Sequence, residues 1–191
     1  MRRVGPVSAV LVSCWLALGV SSDGAQEARE GLGVAAAVDP WGPLRLLEGS
    51  WEGAIDGRLG QGVGRRRYEL LFDDLYLVAR HTSVRLPQEK SPRGDHHRDL
   101  AVYSYDRERK TIVLREFMSE GYVLRYACDV DPKRLVCTTE SVESGSGMKA
   151  RLTIEIADRY GFVETFELAS PGQELAVYFT SEWTRVPDLA D

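Results

Sequence analysis

The densest group of side chains able to do chemistry is the run Asp95-His96-His97-Arg98-Asp99. Imidazole and carboxylate together could hold zinc or copper. Adjacent residues on an extended strand project to opposite faces, so His96 and His97 can share one ion only where the backbone bends. The expectation is therefore a solvated loop end. His81 stands at alternate spacing with Leu75, Leu77 and Ala79, which points it into whatever that strand covers; a satisfied buried imidazole is the plainer reading and a ligand contact the other. Arg80 and Arg115 fall within strand-like runs and are expected on solvated faces. Pointed inward, either would anchor an anionic head group, because a buried guanidinium needs a charged partner. The run Arg65-Arg66-Arg67 reads as a solvated strand face rather than a phosphate cradle. For nucleophilic catalysis the chain offers three histidines but no nucleophile elbow, and Ser146 in Gly145-Ser146-Gly147 reads as a spacer. There is no phosphate-binding glycine loop and no Cys-x-x-Cys pair.

The elements that must position these groups are strands. From Gly49 onward, runs rich in Val, Ile, Leu, Tyr, Phe and Thr alternate with turns of Gly, Pro, Asp and Ser, the pattern of an all-β sandwich or barrel. Strands are predicted near 49–55, 65–72, 75–84, 98–105, 111–117, 122–130, 135–141, 149–157, 162–169 and 174–186. Short connections make successive strands antiparallel neighbours, and a meander of this length closes on itself to remove its edges. Alternation within the runs supports half-buried strands: Leu152, Ile154 and Ile156 share one face, and Tyr122, Leu124, Tyr126, Cys128 and Val130 another. A single helical turn is expected at Trp41 to Leu47. The longer loops are Leu86 to His96 and Val142 to Gly147.

The 191 residues carry 43% apolar and 28% charged side chains, a globular balance with room for one domain. Arg2 and Arg3 precede an uncharged apolar stretch from Val4 to Val20, followed by the small residues Ser21 and Ser22. This is the layout of a secretory signal, with cleavage expected before Asp23. The alternatives are a short membrane anchor or, through Leu11-Val12-Ser13-Cys14, a lipoprotein. Residues 23–43 read as a loose leader, 44–187 as the barrel domain and 188–191 as a tail. Loss of Arg2 and Arg3 takes the formal charge from −5 to −7, an acidic domain poorly suited to nucleic acid or anionic lipid and with no membrane insertion after cleavage.

Of three cysteines, Cys14 leaves with the signal, so Cys128 and Cys137 remain as an even pair in an oxidising compartment. They bracket the turn Asp131 to Arg134 symmetrically, a register that sets them opposite each other in a regular hairpin. A disulfide is expected, with a reduced, buried pair as the other reading.

Gly49-Ser50-Trp51 at the first strand and Trp183-Thr184-Arg185 near the end of the last resemble the calycin group of up-and-down barrels, which includes lipocalins, fatty-acid-binding proteins and nitrobindin-like barrels. The likeness spans roughly Leu44 to Val186 and is greatest to a family of exported bacterial barrels. It implies that Trp51 plugs one end of the barrel with Arg185 over its ring, a favourable packing of a cation on an indole face, and that Gly49, Trp51 and Arg185 are structural. Nitrobindin-like members hold haem through a histidine on the last long strand; laid on that pattern, Tyr178 stands in its place, which disfavours haem.

The first expectation is an exported binding module whose lumen takes a small hydrophobic or amphipathic molecule, with His81, Arg115, Tyr126, Tyr178 and Phe179 as candidate lumen residues. The alternatives are a nitrobindin-like haem protein acting on nitrogen oxides, or an envelope interaction protein with a packed interior.

Overall fold

A computed structural model describes residues 39–145 and 147–188. The signal segment, the Cys14 motif and Ser146 lie outside the described residues. A 3₁₀ turn, η1 (Gly42–Leu47), leads into ten strands: β1 (Gly49–Gly57), β2 (Gly62–Leu71), β3 (Tyr76–Arg85), β4 (Asp95–Asp106), β5 (Thr111–Met118), β6 (Val123–Asp131), β7 (Arg134–Glu143), β8 (Lys149–Ile156), β9 (Gly161–Ala169) and β10 (Ala176–Val186). Each strand pairs antiparallel with the next, and β1 closes on β10, so the sheet is a barrel with no free edge. This is the all-β up-and-down meander that the run-and-turn rhythm predicts.

One end of the barrel is closed by the calycin-like pair. Trp51 is buried, meets Phe162 edge-on at 4.8 Å, and donates from its indole nitrogen to Leu47 O at 2.6 Å. The Arg185 guanidinium lies 4.3 Å from the Trp51 ring centroid and donates to Leu46 O, Glu48 O and Arg159 O. Those carbonyls belong to the η1 exit and the β8–β9 turn, so one side chain ties three chain segments over the plug. Gly49 has φ +112°, and the Arg185 guanidinium occupies the space a Cβ would need there; that is the physical reason for glycine two residues before the tryptophan. Trp41 is also buried at this end and donates to Asp74 O, so the packed domain reaches further back than Leu44 and takes in the last residues of the expected leader.

The core runs upward from the plug through Tyr68, Leu77, Tyr103, Leu114, Tyr126, Leu135, Ile154 and Phe162. Cys128 and Cys137 face this core, sit directly opposite each other on β6 and β7, and form a disulfide. The hairpin turn Pro132-Lys133 fixes that register, as its symmetry predicts.

The main departure from the sequence-based expectation is β4. It begins at Asp95, not near 98, because Asp95 to Arg98 continue the ladder opposite Arg85 to Thr82. The polar run 95–99 is therefore strand, and backbone pairing with a long β3 overrides its loop-like composition.

Candidate functional site

At the end opposite Trp51 the interior is not filled. A cavity of about 340 Å³ opens there, at the small end of the range for ligand pockets. Its walls differ in chemistry. Strands β2 to β5 and the β5–β6 turn contribute Arg66, His81, Ser83, Arg85, Asp95, His97, Asp99, Glu116 and Glu120; facing them, β6 and β8 to β10 contribute chiefly Leu124, Leu152, Phe166, Leu168, Tyr178 and Phe179. One side of the lumen is polar and ionisable; the other is apolar and aromatic except for Glu164 on β9, which reaches across to Arg66.

Period-two geometry builds the polar wall. Asp95, His97 and Asp99 alternate inward along β4, while His96 and Arg98 point away, as adjacent strand residues must. His81 on β3 is the cross-strand partner of Asp99. Its Nδ1 lies 2.6 Å from Asp99 Oδ2, and His97 Nε2 lies 3.2 Å from the same oxygen. The other ring nitrogen of His97 lies 2.8 Å from Glu120 Oε1. Burial works against charge on His97, but its bonds to Asp99 and Glu120 outweigh that and raise its pKa to about 9. Burial likewise opposes the Asp99 carboxylate, yet the two imidazoles hold it well below its usual range. His81 is shifted the other way, downward, by burial and then by nearby Arg66.

Deeper in the lumen, Arg66 forms a two-pronged pair with Glu164, with side-chain exposures of 8% and 2%. Its guanidinium also lies 4.5 Å from the Trp183 ring centroid and donates to Tyr68 Oη. Burial opposes its charge, but the adjacent Glu164 holds the Arg66 pKa well above the ordinary value. Gly53 and Gly64 make room for this layer, since a Cβ on either would come within 2.8 Å of the Trp183 ring. Glu116 accepts a bond from Tyr126 Oη at 2.8 Å, and burial together with the charge of Asp99 raises its carboxyl to about 8. At the rim, Arg85 pairs with Asp95 at 3.1 Å.

The candidate lumen residues divide as follows. His81 faces the interior, with Nδ1 held by Asp99 and Nε2 enclosed with no hydrogen-bond partner among the described residues. Tyr178 and Phe179 both line the cavity although they are adjacent in sequence, because the β9–β10 register shifts at this point. Tyr126 is interior but lies in the packed layer, reaching the cavity wall only through Glu116. Arg115 is corrected: it sits on the outer face of β5 and donates to Ser104 Oγ, as the parity with inward Leu114 and Glu116 requires. Arg80 is also outside, paired with Glu69. Two further corrections concern residues read as solvated. Arg66 is buried between its outward neighbours Arg65 and Arg67, and His97 with Asp99 belongs to the lumen rather than to a loop end.

These residues do not fit a haem. Both ring nitrogens of His97 and Nδ1 of His81 converge on carboxylates, and His81 Nε2 is closed in beside Gly64 and Trp183. Neither of the two lumen imidazoles among the described residues is left facing open space where a macrocycle could lie, and Tyr178 packs its ring against Phe166 and Phe179.

No family model matches the chain, and no curated protein matches it in sequence. Among solved structures, the crystal structure of Rv2717c from M. tuberculosis aligns with a TM-score of 0.58 at 13% identity, covering 77% of this chain and 97% of that one. A structure of EF1p2_mFAP2b bound to DFHBI aligns at a TM-score of 0.34 and 16% identity, over 76% of this chain and 98% of that one, a likeness too loose to carry an argument. At such identity the first match speaks for architecture alone. With the closed ten-strand meander and the Trp51–Arg185 plug, it shows the fold to be an up-and-down β-barrel of the calycin-like kind.

Proposed function

We propose that this protein is an exported carrier or sensor barrel that holds one small amphipathic molecule in its lumen. The observation that carries the reading is the two-sided cavity: apolar and aromatic side chains on one wall, ionisable ones on the other, at the open end of an otherwise packed barrel. An interior packed throughout, as an interaction protein of the envelope would have, lacks such a space. Both lumen guanidiniums are already engaged, Arg66 by Glu164 and Arg85 by Asp95. Around the cavity the carboxylates of Asp95, Asp99, Glu120 and Glu164 still outnumber the cationic groups Arg66, Arg85 and His97, an excess of negative charge that favours a donating or cationic head over an anionic one. Export is supported by the disulfide, which suits an oxidising compartment, and by the signal-like residues 1–22. Among the described residues no helix is long and apolar enough to cross a membrane.

Native mass spectrometry with octylamine, octanol and octanoate, three equal chains with different heads, tests the reading. One molecule per chain is expected for the amine and the alcohol, with octanoate weakest. No adduct, or indifferent multiple adducts with all three, would contradict it.

A further inference from the structure

Among the described residues, His81, His97 and Asp99 are the one group whose potential ligand atoms all lie within 4.8 Å of one another. From the placement of these three side chains we infer that the polar wall of the lumen is a binding site for one first-row divalent transition metal, of which zinc is the representative case. The inference goes beyond the amphiphile reading and does not depend on it.

Backbone register, not chance side-chain placement, assembles the donors. His81 and Asp99 are cross-strand partners, and His97 is the next inward residue along β4. A cross-strand pair and its same-face neighbour form a compact triangle on a pleated sheet. His81 Nδ1 and His97 Nε2 both approach the same oxygen, Asp99 Oδ2, at 2.6 and 3.2 Å. Zinc bonds of about 2.0 to 2.2 Å to nitrogen and oxygen hold neighbouring ligand atoms about 3 to 4 Å apart, so small side-chain shifts admit the ion. Two imidazoles and one carboxylate on one side of an ion form the donor set that suits zinc or ferrous iron while leaving positions open.

Two independent features favour metal over a purely structural cluster. The remote nitrogen of His97 lies 2.8 Å from Glu120 Oε1, the carboxylate–histidine arrangement that orients a metal-bound imidazole. The charges of the wall are also unbalanced. Arg66 and Arg85 engage Glu164 and Asp95, so the carboxylates of Asp99 and Glu120 have only the imidazoles of His81 and His97 as partners. A dication held by the imidazoles brings two positive charges to face those two carboxylates where the donors converge. All three donors line the cavity, so the open coordination positions face the space available to a small molecule.

The test uses the purified protein, stripped with chelator, dialysed, and titrated with cobalt(II) as a spectroscopic stand-in for zinc. One equivalent should bind and give visible bands of nitrogen and oxygen ligation, and zinc should displace it. His97→Ala and Asp99→Asn should each lose at least tenfold in affinity. Glu120→Gln keeps all three donors and should lose about tenfold to a hundredfold, as orienting partners do; it guards against variants that fail to fold. His96→Ala, which alters the outward imidazole, should bind like the parent. No saturable binding by the parent would overturn the inference, as would equal binding by the parent and the folded Glu120→Gln and His97→Ala proteins.

Discussion

At the residue scale, the lumen is a set of ionisable groups whose behaviour follows from what each one faces. Glu116 is the clearest case for a pH measurement. Its carboxyl is raised to about 8 from an ordinary 4.5 by burial and by the negative charges of Asp99 and Glu164, against the lowering influence of Tyr126 and Arg66. The folded state therefore holds this proton more tightly than the unfolded chain does. Its contribution to stability is full below the unfolded value and is lost as pH rises through the folded one. In urea unfolding of chelator-treated protein, the parent should lose stability relative to Glu116→Gln between about pH 5 and about pH 9. The amide can still accept from Tyr126. Parallel pH profiles for the two proteins would contradict the assignment. Much of this wall was legible from parity: Asp99 shares its parity with Ala101 and Tyr103, Arg66 with Tyr68, and Glu164 with Phe162 and Phe166. Local polarity hid it, because a run such as Arg65-Arg66-Arg67 has the composition of a solvated face, and only closure of the barrel brings Glu164 across to Arg66.

At the element scale, turns and register decide which side chains meet. The hairpin of β6 and β7 shows this most simply, since its two-residue turn sets Cys128 opposite Cys137. The bond closes a short loop, so the chain-entropy contribution is about 2 to 3 kcal/mol. The double variant Cys128→Ala, Cys137→Ala should fold and lose stability by about that amount in urea unfolding, and the parent cleaved of its first 22 residues, and so of Cys14, should show no free thiol when unfolded without reductant. Two titratable thiols in the parent would show that the bond does not form, and a variant that does not fold at all would show that it matters far more. Turn chemistry made this register readable from sequence. The irregularity between Val177 and Phe179 was not readable, because nothing in local composition marks it. It is what brings both Tyr178 and Phe179 to the cavity. The start of β4 was missed for a related reason: strand propensity of Asp95 to Arg98 is low, and their pairing depends on how far β3 extends.

At the scale of the whole molecule, the barrel divides into a closed, packed end and an open, two-walled end. Alternation, short turns and the Gly49-Ser50-Trp51 and Trp183-Thr184-Arg185 motifs foretold the closed end, because plugging a barrel demands a large aromatic at a fixed place. The cavity could not be foretold, since it depends on volumes left unfilled after ten strands meet. A ligand-holding role requires that space to be open to a small molecule. Leu168 lines it from β9 and is only partly buried, so a tryptophan there fills the lumen without breaking the plug. The most direct measurement is fluorescence titration of the parent and Leu168→Trp with the small neutral naphthalene dye prodan, with circular dichroism to confirm that both are folded. The parent should bind one dye per chain with a blue-shifted emission, and Leu168→Trp should lose at least tenfold in affinity. Absence of saturable binding by the parent, or equal affinity in the folded variant, would contradict a ligand-holding lumen.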